Sequence, residues 1–363
     1  MKKLVVIIGA RPNFMKVARF KKVAAEHGGW QVVLVHTGQH LDDRMSTIFF
    51  QQLGMIPDHS LGIRADTANA RVASMMLALE PVLLQEKPDL MMVVGDVDST
   101  LAAALTANKV GVPLAHLESG LRSRDRAMPE EFNRIVTDRL ADQLFVTEES
   151  GRTNLVAEGT DPERIHLVGN TMIDSLVEFD PLIQKNDILE RIGLKSGSYA
   201  LMTMHRPATV DDAKELAKMI ELIKVAAHDR TVVFSVHPRT RTNMERFGIY
   251  GELEQIPGLQ LQGPMDYFAF QKLVAHSQVV ITDSGGIQEE TTFRRIPCLT
   301  LRANTERPIT VTEGTNELLP FTAEALTDSL ERISSGQYKK GRIPEFWDGH
   351  ATERVLDVLD RVL

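Results

Sequence analysis

A chain of 363 residues with 43% hydrophobic and 25% charged side chains is long enough for two domains of ordinary size and too apolar to remain disordered. Its formal charge of −8 argues against a general nucleic-acid binder, although a local basic cleft can still receive phosphate. One cysteine, Cys298 in the apolar stretch IPCLTL, excludes an internal disulfide and a thiolate metal cluster, reads as a core residue and fits a reducing cytoplasm.

The chain begins MKKLVVIIGARP. Its apolar stretch meets Arg11 and Pro12 and lacks a small-residue cleavage site, so it reads as a first strand and not as a secretion signal. No run approaches the roughly 20 apolar residues that cross a bilayer. Short β-branched runs then alternate with segments of helical period. KLVVIIGA, WQVVLVHTG, DLMMVVGD, VPLAHLE, DQLFVTE and RIHLVGN form one set; YALMTMH, TVVFSVH, QVVITD and PCLTL form a second. Between them, ARVASMMLALEPVLLQEK and VDDAKELAKMIELIKVAAHD place apolar residues three and four apart, as amphipathic helices do. The alternation predicts an α/β protein of two Rossmann-like, doubly wound parallel sheets. The stretch VEFDPLIQKNDILERIGLKSGS separates the sets and reads as the linker, which gives domains over 1–170 and 171–346. The terminal HATERVLDVLDRVL (350–363) is amphipathic and free to pack on either.

In open parallel sheets, ligands sit beyond the carboxyl ends of the strands, and the unusual residues of this chain gather there. After the first run come Gly9, Arg11 and Lys16; after the third, Asp96; after the fourth, Glu118, with Glu130 and Glu131 a dozen residues on. His205 and Arg206, His237, and the stretch DSGGIQEE (283–290) follow runs of the second set. Each has a plain reading. Asp96 could cap a helix, Glu130 and Glu131 after Pro129 suit a helix N-terminus, His205 could be structural, Arg11 and Lys16 could be solvated, and Ser284-Gly285-Gly286 could be a tight turn. Their coincidence at five strand ends favours a site. The absence of G-x-G-x-x-G, H-E-x-x-H and G-x-S-x-G patterns speaks against a dinucleotide cofactor, a metal and a serine nucleophile.

The segments GARPNFMK, TGQH, GDVDSTLAA, HLESGLRS, MPEEFNRIVTD, VGNTMIDSL, HRP, VHPRT, TDSGGIQEE and TERP resemble, in order and spacing, the non-hydrolysing UDP-N-acetylglucosamine 2-epimerases. The resemblance runs from residue 4 to about residue 320. It implies the GT-B architecture, with an active site in a cleft between two Rossmann-like domains, a last helix (about 347–363) returning to the first domain, and a cytoplasmic homodimer needing no cofactor. It also implies interconversion of UDP-GlcNAc and UDP-ManNAc for cell-surface polysaccharide supply, through loss of UDP to a 2-acetamidoglucal intermediate. Neither a nucleic acid nor a membrane is an expected partner.

Residue by residue, the resemblance gives Asp96, Glu118 and Glu130 acid/base work at C2 and His205 a role toward the departing diphosphate, with Arg11 and Lys16 in support. Phe270 matches the uracil contact; Ser284, Gly286, Glu290 and Arg307 match nucleotide-binding positions. In physical terms, the N–H groups around Ser284, Gly285 and Gly286 would face diphosphate, while the Glu290 carboxylate would accept from ribose hydroxyls. Glu289 reads only as a dipole-stabilised helix residue. Gln39, His40, Arg206 and His237 could contribute to a second, regulatory UDP-GlcNAc site, but Leu41 and Asp42 depart from the polar pattern that regulated members carry there, and Met265 stands where some relatives have glutamine near the uracil. The alternatives are a hydrolysing epimerase that releases free N-acetylmannosamine, an epimerase of a UDP-2,3-diacetamido-glucuronic acid, a GT-B glycosyltransferase, and, outside catalysis, a nucleotide-sugar sensor.

Overall fold

The apolar runs form strands, most of them buried on both faces because helices cover both sides of each sheet. The computed structural model describes residues 1–38 and 50–363. Its contacts divide the chain into two units, Met1–Glu178 together with Glu345–Leu363, and Phe179–Pro344. In the first unit, β1 (Lys2–Ile8), β2 (Trp30–His36), β3 (His59–Ser60), β4 (Leu90–Val94), β5 (Leu114–Leu117), β6 (Gln143–Val146) and β7 (Ile165–Leu167) lie in the order β3-β2-β1-β4-β5-β6-β7. In the second, β8 (Tyr199–Thr203), β9 (Thr231–Ser235), β10 (Leu259–Gln262), β11 (Val279–Thr282), β12 (Cys298–Thr300) and β13 (Asn316–Leu318) lie in the order β10-β9-β8-β11-β12-β13. Every strand pair is parallel. The winding direction reverses between β1 and β4 and between β8 and β11, which opens a crevice at each switch point.

Three strands, β3, β10 and β13, have no counterpart among the expected runs. All three are sheet edges with one neighbour and partial burial, so their sequences HS, LQLQ and NEL need no continuous apolar run. The expected linker is also more ordered than a linker. Its first part belongs to the helix Thr171–Gln184, within which the boundary between the units falls, and Ile188–Arg191 forms a further helical turn. Phe179, Leu182 and Ile183 supply the apolar period that the charges and Pro181 mask.

The last helix, Ala351–Val362, belongs to the first unit. Val355, Leu356 and Leu359 are buried along one face. Asp174 accepts hydrogen bonds from the N–H groups of Ala351 (3.0 Å) and Thr352 (2.6 Å), capping the helix, while Trp30 Nε1 donates to Asp360 (2.7 Å). Among the described residues, no helix is long and apolar enough to cross a membrane.

Candidate active site

In the first unit, the ends of β1, β4 and β5 bring a set of charges together. Lys16, on the helix Arg11–Val17 that follows β1, forms an ion pair with Glu118, just past β5, and both side chains are buried. Gly95 lies beneath this pair: a Cβ at that position would stand 3.1 Å from Glu118 Oε2 and 3.5 Å from Lys16 Nζ. Its φ of +67° is one that glycine adopts freely, and this lets the end of β4 turn under the pair. Asp96 follows directly, part-exposed and paired with the buried Arg134. Arg134 also donates to Glu131 (2.6 Å), which accepts from the N–H groups of Ser123 (2.9 Å) and Arg124 (2.9 Å). Burial raises the Glu131 carboxyl, but these N–H groups and the Arg134 charge outweigh it and hold the group below the usual range. Glu130, the preceding residue on the helix Pro129–Leu140, is part-exposed and makes no hydrogen bond or ion pair among the described residues. Two adjacent glutamates are thus divided, one tying down a loop and the other open to a ligand.

In the second unit, the segments after β8, β11 and β12 bring backbone N–H groups and guanidinium groups together. The helix Gly285–Arg294 starts after β11, and the N–H groups of Gly285 and Gly286 have no acceptor among the described residues. Ser284 differs from expectation: its N–H donates to Thr282 Oγ1 (3.0 Å), so the anion site narrows to the glycines and the Ser284 side chain. Gly285 leaves room for the Glu306–Arg307 pair: a Cβ there would lie 2.7 Å from Glu306 Oε1 and 2.8 Å from Arg307 Nη1, so those side-chain ends would have to shift. Arg307 is fixed by Glu306 (2.7 Å) and by Glu289 (2.9 Å). Glu289, expected only to stabilise a helix dipole, is therefore the buried counter-ion of an arginine at the turn. Arg302 (2.9 Å) and Arg206 (3.7 Å) also approach Glu306, and three guanidinium groups hold its carboxyl far below the usual range against the opposing effect of burial.

His205 is positioned by Asp283, a fully buried carboxylate that the motif reading passed over. Asp283 accepts from the N–H groups of His205 (3.1 and 3.0 Å) and Arg206 (2.8 Å) and pairs with His205 Nδ1 (3.0 Å). That contact turns Nδ1 toward Asp283 and leaves Nε2 on the other side of the ring. His237 stacks near His205 (centroids 5.3 Å apart), and its Nδ1 accepts from the Arg239 N–H (3.2 Å), capping the next helix. Phe270 and Met265 are both half-buried against the apolar cluster that contains Leu273 and Val280. The side chain of Arg11, and Gln39 and His40 together with Leu41 and Asp42, lie outside the described residues. Lys16, expected in support at the departing diphosphate, pairs here with Glu118. Among the described residues, no group of three or more His, Cys, Asp or Glu side chains is disposed to hold a metal ion.

Glu290, on the first turns of the Gly285–Arg294 helix, is buried. Burial pushes its carboxyl up to about 7, with Glu289 adding to the rise and Gln271 and Arg294 opposing it. A carboxyl whose pKa rises on folding contributes stability at low pH that is lost as pH climbs through the folded value. Glu290→Gln is therefore expected to match the wild type near pH 4 and to exceed it at pH 9 by on the order of 3 kcal/mol. Denaturant melts of both proteins without nucleotide check this. A wild type that is the more stable at pH 9 would contradict it.

The comparisons with known proteins agree with one another. The family profile described as UDP-N-acetylglucosamine 2-epimerase matches residues 22–360. The chain is 35% identical over 363 residues to the UDP-N-acetylglucosamine 2-epimerase of Methanocaldococcus jannaschii, covering 98% of each. It is 38% identical over 365 residues to the UDP-2,3-diacetamido-2,3-dideoxy-D-glucuronate 2-epimerase of Pseudomonas aeruginosa, covering 99% of this chain and 100% of that one. Among solved structures, the M. jannaschii UDP-GlcNAc 2-epimerase in complex with UDP-GlcNAc and UDP is similar with a TM-score of 0.90 at 34% identity, covering 99% of both chains.

Proposed function

Because the chain belongs to the UDP-N-acetylglucosamine 2-epimerase family, we propose that it interconverts UDP-GlcNAc and UDP-ManNAc by eliminating UDP and adding it back. The observation that carries this reading is the set of acids at neighbouring strand ends, Asp96 after β4 and Glu118 after β5, each with its own cation. Carbon 2 of the sugar is not next to a carbonyl, so its proton is weakly acidic and must leave in concert with a good leaving group. One carboxylate takes the C2 proton, the C–H electrons become the C1–C2 double bond, and UDP departs with the electrons of the C1–O bond. An acid on the opposite face returns a proton to C2, and UDP reattaches at C1. The glycine N–H groups, Arg307 and His205 stabilise the diphosphate while it is free, an interaction worth several kcal/mol when made in a water-excluded site. Glu290 and Phe270 hold the ribose and uracil.

The test is incubation with UDP-GlcNAc in heavy water. Deuterium at C2 of both UDP-sugars is expected, with no free sugar accumulating and no acceptor required. Free N-acetylmannosamine would point to the hydrolysing reaction, and absence of exchange would refute the proposal. A second reading rests on the P. aeruginosa relative: turnover only with a UDP-2,3-diacetamido-glucuronic acid would assign the same chemistry to that substrate.

The working unit is proposed to be a homodimer formed through the first unit. Leu77 and Leu84 on the helix Ala68–Glu86 are 74% and 57% exposed, and Phe132 on Pro129–Leu140 is 60% exposed. Ala73 and Met76 of the first helix and Phe132 of the second line one groove, which places exposed apolar side chains of both helices near each other. Sedimentation is expected to give a dimer for the wild type and a folded monomer for Leu77→Glu combined with Phe132→Glu. A monomeric wild type would rule the assignment out.

A further inference from the structure

Three segments carry the acids of the first unit: the end of β4 with Asp96, the end of β5 with Glu118, and the helix Pro129–Leu140 with Glu130 at its start. One fully buried side chain, His116 on β5, touches all three. Its Nε2 lies 2.7 Å from the carbonyl oxygen of Gly95, the residue before Asp96. Its Nδ1 lies 2.6 Å from Asp138 Oδ1, in the last turn of the helix that Glu130 begins. Glu118 follows it by two residues, just past the end of its own strand. A carbonyl oxygen only accepts, so Nε2 donates to Gly95, and Nδ1 is held against the Asp138 carboxyl. The ring therefore ties the end of β4 to the helix across its own strand.

Asp138 extends the brace. Its second oxygen accepts from the Gly120 N–H (3.2 Å) and pairs with Arg122 (2.7 Å), holding the loop just beyond Glu118. That loop needs holding, since Glu118 sits at φ +68°, a left-handed conformation that side-chain-bearing residues rarely adopt. The end of β4 is fixed in the same manner. Asn13 donates to the Val94 carbonyl (3.1 Å), His116 to that of Gly95, and Asn133 to that of Asp96 (3.0 Å). Three consecutive carbonyls are thus bonded by side chains from three different elements.

We infer that His116 is a positioning residue that sets the spacing of Asp96, Glu118 and Glu130 without touching substrate. A histidine placed only to fill the core would affect stability and leave the rate per folded molecule unchanged. The test uses two variants that each keep one donor: His116→Gln can reach Gly95, and His116→Asn can reach Asp138. With UDP-GlcNAc, kcat per natively folded molecule is expected to fall about 10- to 100-fold in each, the range seen when a supporting partner is removed. KM and the Kd for UDP, governed by the second unit, should stay within about twofold. Of the two, His116→Gln should retain more activity, because the Gly95 contact lies next to Asp96. Folded variants with wild-type kcat would overturn the inference, as would partly folded variants whose folded fraction turns over normally. The inference rests on the epimerase reading, and the controls separate the two. A wild type inert toward both UDP-GlcNAc and the UDP-2,3-diacetamido-glucuronic acid overturns both, whereas an active wild type matched by its His116 variants overturns only this one.

Discussion

Glu118→Gln is expected to abolish epimerisation, with kcat falling by roughly a thousandfold, the scale of a lost general acid or base. The substitution keeps the size of the side chain and removes its charge and basicity. It also strands Lys16, because the two groups form a buried ion pair beside Gly95. Breaking one side of such a pair costs about 3–5 kcal/mol, since the remaining charge stays desolvated. Loss of turnover in the single variant could therefore be confused with loss of fold. The double variant Lys16→Met, Glu118→Gln removes both charges, and its unfolding free energy should return to within about 1–2 kcal/mol of the wild type while turnover stays absent. A double variant that recovers activity along with stability would take Glu118 out of the chemistry. Lys16→Met alone should cost both properties, since it removes the cation that faces the buried Glu118 carboxylate.

Much of this arrangement was legible in the sequence because its two ingredients are local. A continuous β-branched run marks a strand buried on both faces, and the residue after it falls at the ligand-bearing edge of the sheet; Asp96, Glu118, His205 and Ser284 were all located that way. What was hidden is pairing across the fold. Arg134 reaches Asp96 from 38 residues away and Asp283 reaches His205 from 78. Each contact depends on strand register and helix phase, which the local pattern does not specify. Asp283 stood in plain view within TDSGGIQEE, but strand-end aspartates so often cap helices that its position alone carried no signal. The edge strands escaped for a related reason: His59–Ser60 and Leu259–Gln262 are only partly buried and need no apolar run. Glu289 and Glu290, adjacent and chemically identical, show the limit most clearly. One meets Arg307, while the other is buried where Gln271 and Arg294 only partly offset the loss of water, and its pKa rises.

Asp283→Asn carries the other large expected effect. The carboxylate is fully buried and receives the N–H groups of His205 and Arg206 as well as His205 Nδ1. Asparagine keeps one acceptor oxygen but turns an NH₂ group toward donors, so the backbone turn after β8 and the imidazole tautomer are both disturbed. A fall in kcat of roughly a hundred- to a thousandfold is expected, together with a loss of at least about 3 kcal/mol. The pH dependence separates charge from shape. Burial raises the Asp283 carboxyl, but His205 and the two N–H groups outweigh it and hold the folded value below the ordinary one. A depressed carboxyl contributes stability that is complete above the unfolded pKa, near 4, and is lost as pH falls through the folded value. The stability gap between wild type and Asp283→Asn should therefore be full at pH 7 and shrink on acidification toward pH 3; an equal gap at both would mean that packing, not charge, holds the turn. His205→Ala completes the comparison. The imidazole is 36% exposed, so its removal should silence turnover at a much smaller cost in stability, leaving the carboxylate as the structural member of the pair and the histidine as the group that meets the diphosphate.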